Sequence, residues 1–382
     1  MQRITVLGAG FGAMTAARRL RKKAPAIEVT LVAPEPTFLF YPSLIWIPAR
    51  LRSGDDLRID LEPFFQQEGI HLHRGRVTAL RDGGRTVVTD TGEITNDGLI
   101  IASGARFRDQ PTGQANTVTI CEGVPAAEQL RDRLEGLAGG TLAFGFMGNP
   151  NEPAAMRGGP MFELLFGTDT LLRRQGRRDD FRLVFFTPAP EPGKRLGDRA
   201  VAGIQREMAK RGIEPHLGHK IQEFQSDRVV TDGDEIPADL IAFMPGMEGP
   251  DWAEASGLAL SDGGLFRADA HCRAEGAERV YVAGDAGSFE GPSWMPKQAH
   301  LADLQAVAAA DNLAAELAGG TPTARFKPEL VCIVDSLDKG ILVYRTEKRT
   351  IVLPSRLLHW AKRAFEWWYL RPYRRAERKG AA

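Results

Sequence analysis

Near the N-terminus a short apolar run, Ile4-Thr5-Val6-Leu7, passes directly into Gly8-Ala9-Gly10-Phe11-Gly12-Ala13. A strand that ends in Gly-x-Gly-x-x-Ala leaves the chain few ways to continue. Gly8 permits a tight turn, Gly10 lets the backbone approach a pyrophosphate, and Ala13 lets a helix lie close to the strand. A helix from Met14 to Lys23 and a second strand, Ile27 to Val32, follow. Strand, glycine loop, helix and strand make a βαβ unit whose helix N-terminus faces an anionic ligand. The pattern predicts an α/β protein with a parallel, dinucleotide-binding sheet.

Strand-like alternation continues through Ile70–Leu80 and Arg85–Thr89, and Gly98–Gly104 reads as a buried strand ending in a glycine turn. A helix is expected over Ala126–Leu137. A second βαβ block begins at Gly140, with strand Thr141–Phe146, a helix near Phe162, strand Leu183–Phe186 and helix Ala200–Arg211. Strand-like Ile221–Val230, strand Leu240–Phe243, strand Arg279–Asp285 and an alanine-rich helix, Gln298–Leu317, complete it. The 382 residues suffice for two or three domains. The expected division is a discontinuous first domain (1–105 and 265–325), a second Rossmann-like domain (106–264) and a C-terminal region (326–382).

Three features bear on the cofactor. An acidic residue usually closes the second strand and binds a ribose. Here Ala33 stands there, and Glu35, two residues on, reads either as that ligand or as a solvated turn residue. The segments Leu99-Ile100-Ile101-Ala102-Ser103-Gly104 and Val280-Tyr281-Val282-Ala283-Gly284-Asp285 are the other two. With them the chain resembles flavoproteins built from two dinucleotide-binding domains. That resemblance implies FAD, held by Gly8, Gly10, Gly12, Ala13, Ala102, Gly104, Gly284 and the Asp285 carboxylate on the ribityl chain. The second block lacks a matching glycine motif: Gly145-Phe146-Met147-Gly148-Asn149-Pro150-Asn151-Glu152-Pro153 has the wrong spacing, and its prolines oppose a helix start. NAD(P)H is therefore disfavoured as electron donor.

A narrower resemblance covers nearly the whole chain. Phe38-Leu39-Phe40-Tyr41-Pro42-Ser43, Ile120-Cys121, Gly159-Pro160-Met161-Phe162-Glu163, Pro296-Lys297, Glu329-Leu330-Val331-Cys332 and Leu358-His359-Trp360 through Glu366 carry it. With these the chain is similar to sulfide:quinone oxidoreductases and the flavoprotein of flavocytochrome c sulfide dehydrogenase. The resemblance implies two-electron transfer from a sulfur substrate through FAD to quinone, with a cysteine pair facing the flavin. Cys332 matches one of the pair, and Cys121 matches a third, more distant cysteine. The other partner would precede Gly158, where Ala155-Met156-Arg157 has no sulfur. Cys121 then approaches Cys332, or Cys332 works alone with a soluble acceptor, or the donor is not sulfide. Arg157 reads as a solvated loop arginine or as a holder of an anionic substrate. Lys297 is expected either at the flavin edge, as a cation for the reduced form, or as an ordinary helix N-terminal lysine. Pro42 and Ser43 are expected near the ring.

Net charge is zero, which argues against general nucleic-acid binding. The charge is uneven, because residues 356–382 hold eight basic and two acidic side chains, a net +6. Within them Leu357, Leu358, Trp360, Ala361, Ala364, Phe365, Trp368 and Tyr369 recur at helical spacing. An aromatic face flanked by Lys and Arg suits a membrane interface, so Leu357–Tyr369 is expected to dock on a membrane surface where quinone resides. No long apolar run occurs, and the chain enters its first strand after Met1-Gln2-Arg3. The expectation is a cytoplasmic, membrane-peripheral enzyme, with a homo-oligomer left open. His216 and His219 lack a third ligand, Cys272 matches nothing, and no metal is expected. Alternatives are a type II NADH:quinone oxidoreductase and a flavoprotein electron-transfer partner.

Overall fold

The computed structural model describes residues 2–380. Strands β1 (Arg3–Leu7), β2 (Glu28–Ala33), β3 (His71–Arg74) and β4 (Gly98–Ile101) are joined by a late strand. That strand is Val280–Val282, β9, and the order is β9-β4-β1-β2-β3, all parallel. Strands β1, β4 and β9 are buried apart from Arg3 at the sheet's edge, and their continuous apolar runs are those of a sheet covered on both faces. The chain leaves β1 in one direction and β4 lies on the other side. The crevice at the carboxyl end of β1 is therefore the switch point where parallel sheets bind ligands.

A second parallel sheet has the order β7-β6-β5-β8, from β5 (Gly140–Phe146), β6 (Phe181–Thr187), β7 (Glu214–Leu217) and β8 (Leu240–Met244). The two blocks predicted from the sequence are thus two separate sheets. The longer helices are α1 (Phe11–Lys23), α2 (Val124–Gly136), α3 (Gly159–Arg174), α4 (Asp198–Arg211), α5 (Ala299–Leu317) and α6 (Leu357–Gly380). α1 begins at Phe11, three residues before the expected Met14, because Gly10 itself is its N-cap. Its buried face is Gly12, Ala13, Ala16 and Ala17 with Met14 and Leu20, and it packs on the alanine-rich α5. Small side chains on both helices let their axes approach closely.

Three stretches differ from expectation. Ile70–Leu80 is not one strand: it breaks at Gly75, where a Cβ would lie 2.5 Å from Thr91 Oγ1. Residues beyond that point join an antiparallel sheet with Thr86–Thr89 and Gly92–Thr95. Ile221–Val230 is a hairpin of Ile221–Phe224 and Arg228–Thr231, because the polar Gln225-Ser226-Asp227 turns the chain back. The C-terminal region is more than a helix. β10 (Glu329–Asp335), β11 (Gly340–Thr346) and β12 (Thr350–Ser355) form an antiparallel sheet that packs on α3 and α6. No described helix is long and apolar enough to cross a membrane.

Candidate active site

The glycine loop, the loops beside the second parallel sheet, β10 and α6 line one cavity of about 1460 Å³. This exceeds the usual range for a single small ligand, about 300–1,000 Å³, and leaves room for a dinucleotide with a substrate beside it. Gly8, Gly10, Gly12, Glu35, Pro42, Ala102, Gly104, Gly284, Asp285, Lys297, Cys121 and Cys332 all line it. Ala13 and Ser43 are buried behind the wall.

The loop geometry fits a pyrophosphate. Gly8 has φ +104°, and a Cβ there would meet the Ala102 carbonyl oxygen at 2.4 Å. Gly10 and Gly104 have no atom within 4 Å of a would-be Cβ, so backbone is laid bare to the cavity. α1 has no side-chain cap and no acidic residue in its first turn, which leaves its first N–H groups for an anion. The buried Ser103 Oγ, on the same wall, has no hydrogen-bond partner. These residues fit FAD: the α1 N-terminus with Gly8 and Gly10 would take the phosphates, and Asp285 the ribityl hydroxyls.

The opposite wall carries the reactive groups. Arg157 is not a solvated loop residue. Its guanidinium forms an ion pair with Asp285, the two side chains being only 23% and 13% exposed, and its charge bears on the Cys121 thiol. Burial nonetheless pushes Cys121 above the ordinary thiol range, with Arg157 opposing it. Lys297 Nζ donates to the carbonyl oxygens of Asp285 (3.1 Å) and Gly287. Burial pushes the Lys297 ammonium down to about 8, against the attraction of Asp285 and Glu152. Cys332, on β10, lies 3.7 Å from a would-be Cβ of Gly159 at the start of α3. Burial, then the nearby Glu163, lifts its thiol to about 12. It is therefore a thiol, not a thiolate, in the resting cavity.

Other groups were not singled out from the sequence. Glu163 of α3 lines the cavity and pairs with Lys362 of α6, and burial lifts its carboxyl to about 7. Asp303 of α5 accepts from Thr15 Oγ1 (2.6 Å) and Tyr369 OH (3.2 Å). Burial lifts its carboxyl to about 6. Arg195 projects from the loop before α4, and burial lowers it to about 10. Only an odd placement of charge in apolar surroundings, such as Glu163 within Met161-Phe162-Glu163-Leu164-Leu165, could have flagged these. Cys272, which matches no motif, is fully buried in the core around the first sheet, and His216 bonds Glu214 (2.9 Å) and Asp234 (2.8 Å).

α6 joins this wall to the outside. Trp46 Nε1 donates to Asp335 (2.6 Å), and His359 Nδ1 lies 3.0 Å from the same carboxylate. Arg52 binds Glu366 at 2.8 Å. Leu370, Tyr373 and Ala376 are buried against the body. Leu357, Trp360, Phe365, Trp367 and Trp368 stay exposed, with Ile351 and Leu353 of β12. The exposed face thus differs from the expected one. Tyr369 turns inward to Phe11 and Phe38, and Trp367 joins the outer face.

The family described as pyridine nucleotide-disulphide oxidoreductase matches residues 2–143 and 179–306. A sulfide-quinone reductase of Aquifex aeolicus is 24% identical over 96% of this chain and 90% of its own. A type II NADH:quinone oxidoreductase of Mycobacterium tuberculosis is 26% identical, over 85% of this chain and 74% of its own. Among solved structures, the sulfide:quinone oxidoreductase of Aquifex aeolicus superposes with a TM-score of 0.89 at 22% identity. It covers 98% of this chain and 92% of that one.

Proposed function

The chain belongs to the pyridine nucleotide-disulphide oxidoreductase family and is an FAD-dependent oxidoreductase, and from that premise we propose that it carries two electrons from sulfide or a related sulfur donor to a membrane quinone. The observation that supports this most is Cys332, whose thiol lines the cavity beside the start of α3. No dithiol pair stands there, so Cys332 is assigned the sulfur chemistry without a second cysteine before Gly158, and it reacts only once its thiol, lifted to about 12, has given up its proton. Bound FAD would supply the two-electron acceptor. Asp285 and Lys297 hold its polar edge, and Lys297 is a cation for the reduced form below about pH 8.

Quinone reduction consumes protons as well as electrons. Glu163, lifted to about 7 and paired with Lys362 of the outer helix, is the group suited to hold them. The exposed Trp360, Trp367 and Trp368 with the basic tail would seat this end of the cavity on the bilayer. The protein is then membrane-peripheral.

NADH as donor is disfavoured by the path after β5. Residues 147–158, with Pro150 and Pro153, intervene before α3 begins at Gly159. Prolines offer no N–H to a pyrophosphate. The test is anaerobic stopped-flow bleaching of the flavin's visible band, with sulfide and NADH compared. Sulfide is expected to bleach it. Cys332→Ala should slow that phase roughly 1000-fold or more, as loss of a nucleophile does. Bleaching by NADH alone would move the protein to the NADH:quinone oxidoreductases. Bleaching by neither would reject both.

A further inference from the structure

Arg157 occupies the stretch where the resembled enzymes carry the second thiol, so this part of the wall carries a cation beside the thiols of Cys121 and Cys332. Its contacts with Asp285 run through Nη2, and a guanidinium has five N–H donors in a rigid fork. Two further cations face the same cavity. Lys297 bonds only the carbonyl oxygens of Asp285 and Gly287. Arg195 bonds only the carbonyl oxygen of Ala154, at 3.1 Å. Neither has a carboxylate within ion-pair distance among the described residues. Lys297 lies close enough to Arg157 and Arg195 for both charges to depress its ammonium. The carboxylates facing this corner are Asp285, held by Arg157, and Glu152, which accepts from Ser288 at 3.3 Å. Glu191 is taken by Lys194. Two cations without a carboxylate partner, Lys297 and Arg195, thus stand near the Arg157–Asp285 pair, with α3 beginning, uncapped by any side chain, nearby. A monatomic sulfide ion cannot use the fork of an arginine. A tetrahedral oxyanion can accept two parallel bonds from it.

Resting on the sulfur-donor reading above, we propose that the cavity selects a small thio-oxyanion of the thiosulfate kind, its charged oxygens held by Arg157 and Arg195, with Lys297 at the flavin edge adding to the positive potential. Arg157 is then the specificity-determining residue. The probe is sodium thiosulfate, titrated anaerobically into the FAD-loaded enzyme and read by calorimetry and by the shift of the flavin's visible band.

Saturable binding is expected, with sulfate competing and chloride not. Arg157→Met should weaken it on the order of 10- to 100-fold, as loss of a charge-assisted hydrogen bond in a dry site does. Arg157→Lys should fall between, because it keeps charge without the fork. The surface variant Arg133→Met should bind like the parent. If Arg157→Met fails to retain FAD, Arg195→Met takes over the test, with at least a tenfold loss expected. No saturable binding in the parent, or equal binding in these variants, overturns the proposal. Sulfide bleaching that persists in that case leaves the sulfur-donor reading standing. Failure of both sulfide and thiosulfate rejects the two together.

Discussion

Gly8 and Gly10 look alike in the sequence but answer to different constraints. At Gly8 the backbone sits at φ +104° and a side chain would meet the Ala102 carbonyl. Gly8→Ala should therefore destabilise the fold itself, by roughly 1–3 kcal/mol, and lose FAD. At Gly10 the backbone is extended (φ −84°, ψ −169°) and a Cβ would meet no protein atom within 4 Å. Gly10→Ala should unfold within about 1 kcal/mol of the parent. It should still lose FAD affinity, because the space it fills is the ligand's. Thermal melts with flavin-to-protein ratios check both, and retention of FAD by Gly10→Ala would put the pyrophosphate elsewhere. Such residues are legible in a sequence because their meaning is local. Arg157 is not: its partner Asp285 is far along the chain, and only the fold brings the two together. A loop arginine followed by two glycines looks solvated until the opposing carboxylate is known.

Among elements, α6 carries the largest share of what the sequence leaves undecided. Its periodicity announces an amphipathic helix but not which face meets the protein. The anchors are polar and distant: Glu163 to Lys362, Asp335 to His359 and Trp46, Arg52 to Glu366. β10–β12 were legible in principle, through β-branched runs at Val331–Val334 and Ile351–Val352 and a polar turn at Glu347-Lys348-Arg349. That stretch is dominated by Cys332, which draws the eye to chemistry rather than to pairing. The Glu163 anchor has a pH signature. Burial lifts its carboxyl from the ordinary 4.5 to about 7, so the folded protein keeps a proton that the unfolded chain has released between those values. Stability from this group is whole below about pH 4.5 and is lost as pH rises through about 7, by at most about 3 kcal/mol. Glu163→Gln should flatten the fall in melting temperature across that window, whatever constant offset follows from leaving Lys362 unpaired. An unchanged slope in the variant would assign the pH dependence to another group.

The whole molecule is arranged so that one helix serves two surfaces. On its inner face Tyr369 lies 5.2 Å from Phe11 of the glycine loop, and Tyr373 lies 5.5 Å from Phe38, centroid to centroid. On its outer face Trp360, Trp367 and Trp368 are more than half exposed. Arg363 covers Trp360 and Arg371 covers Trp367, at 5.1 and 5.3 Å. If the outer face is a membrane dock, its loss and the loss of the whole helix must have different consequences. Trp360→Ser with Trp368→Ser should lower partition onto vesicles containing anionic lipid by at least about tenfold. Binding of the parent should weaken with added salt, since the tail is net +6. The double variant should keep its FAD and its reduction by a soluble donor, because neither tryptophan touches the cavity. Removing residues 356–382 should instead release FAD, by stripping the aromatic floor from beneath the glycine loop. Sedimentation with vesicles, read beside flavin content, separates the two. Parent protein that ignores vesicles at low salt would leave the aromatic face to a protein partner, and the quinone would then have to reach the cavity by another route.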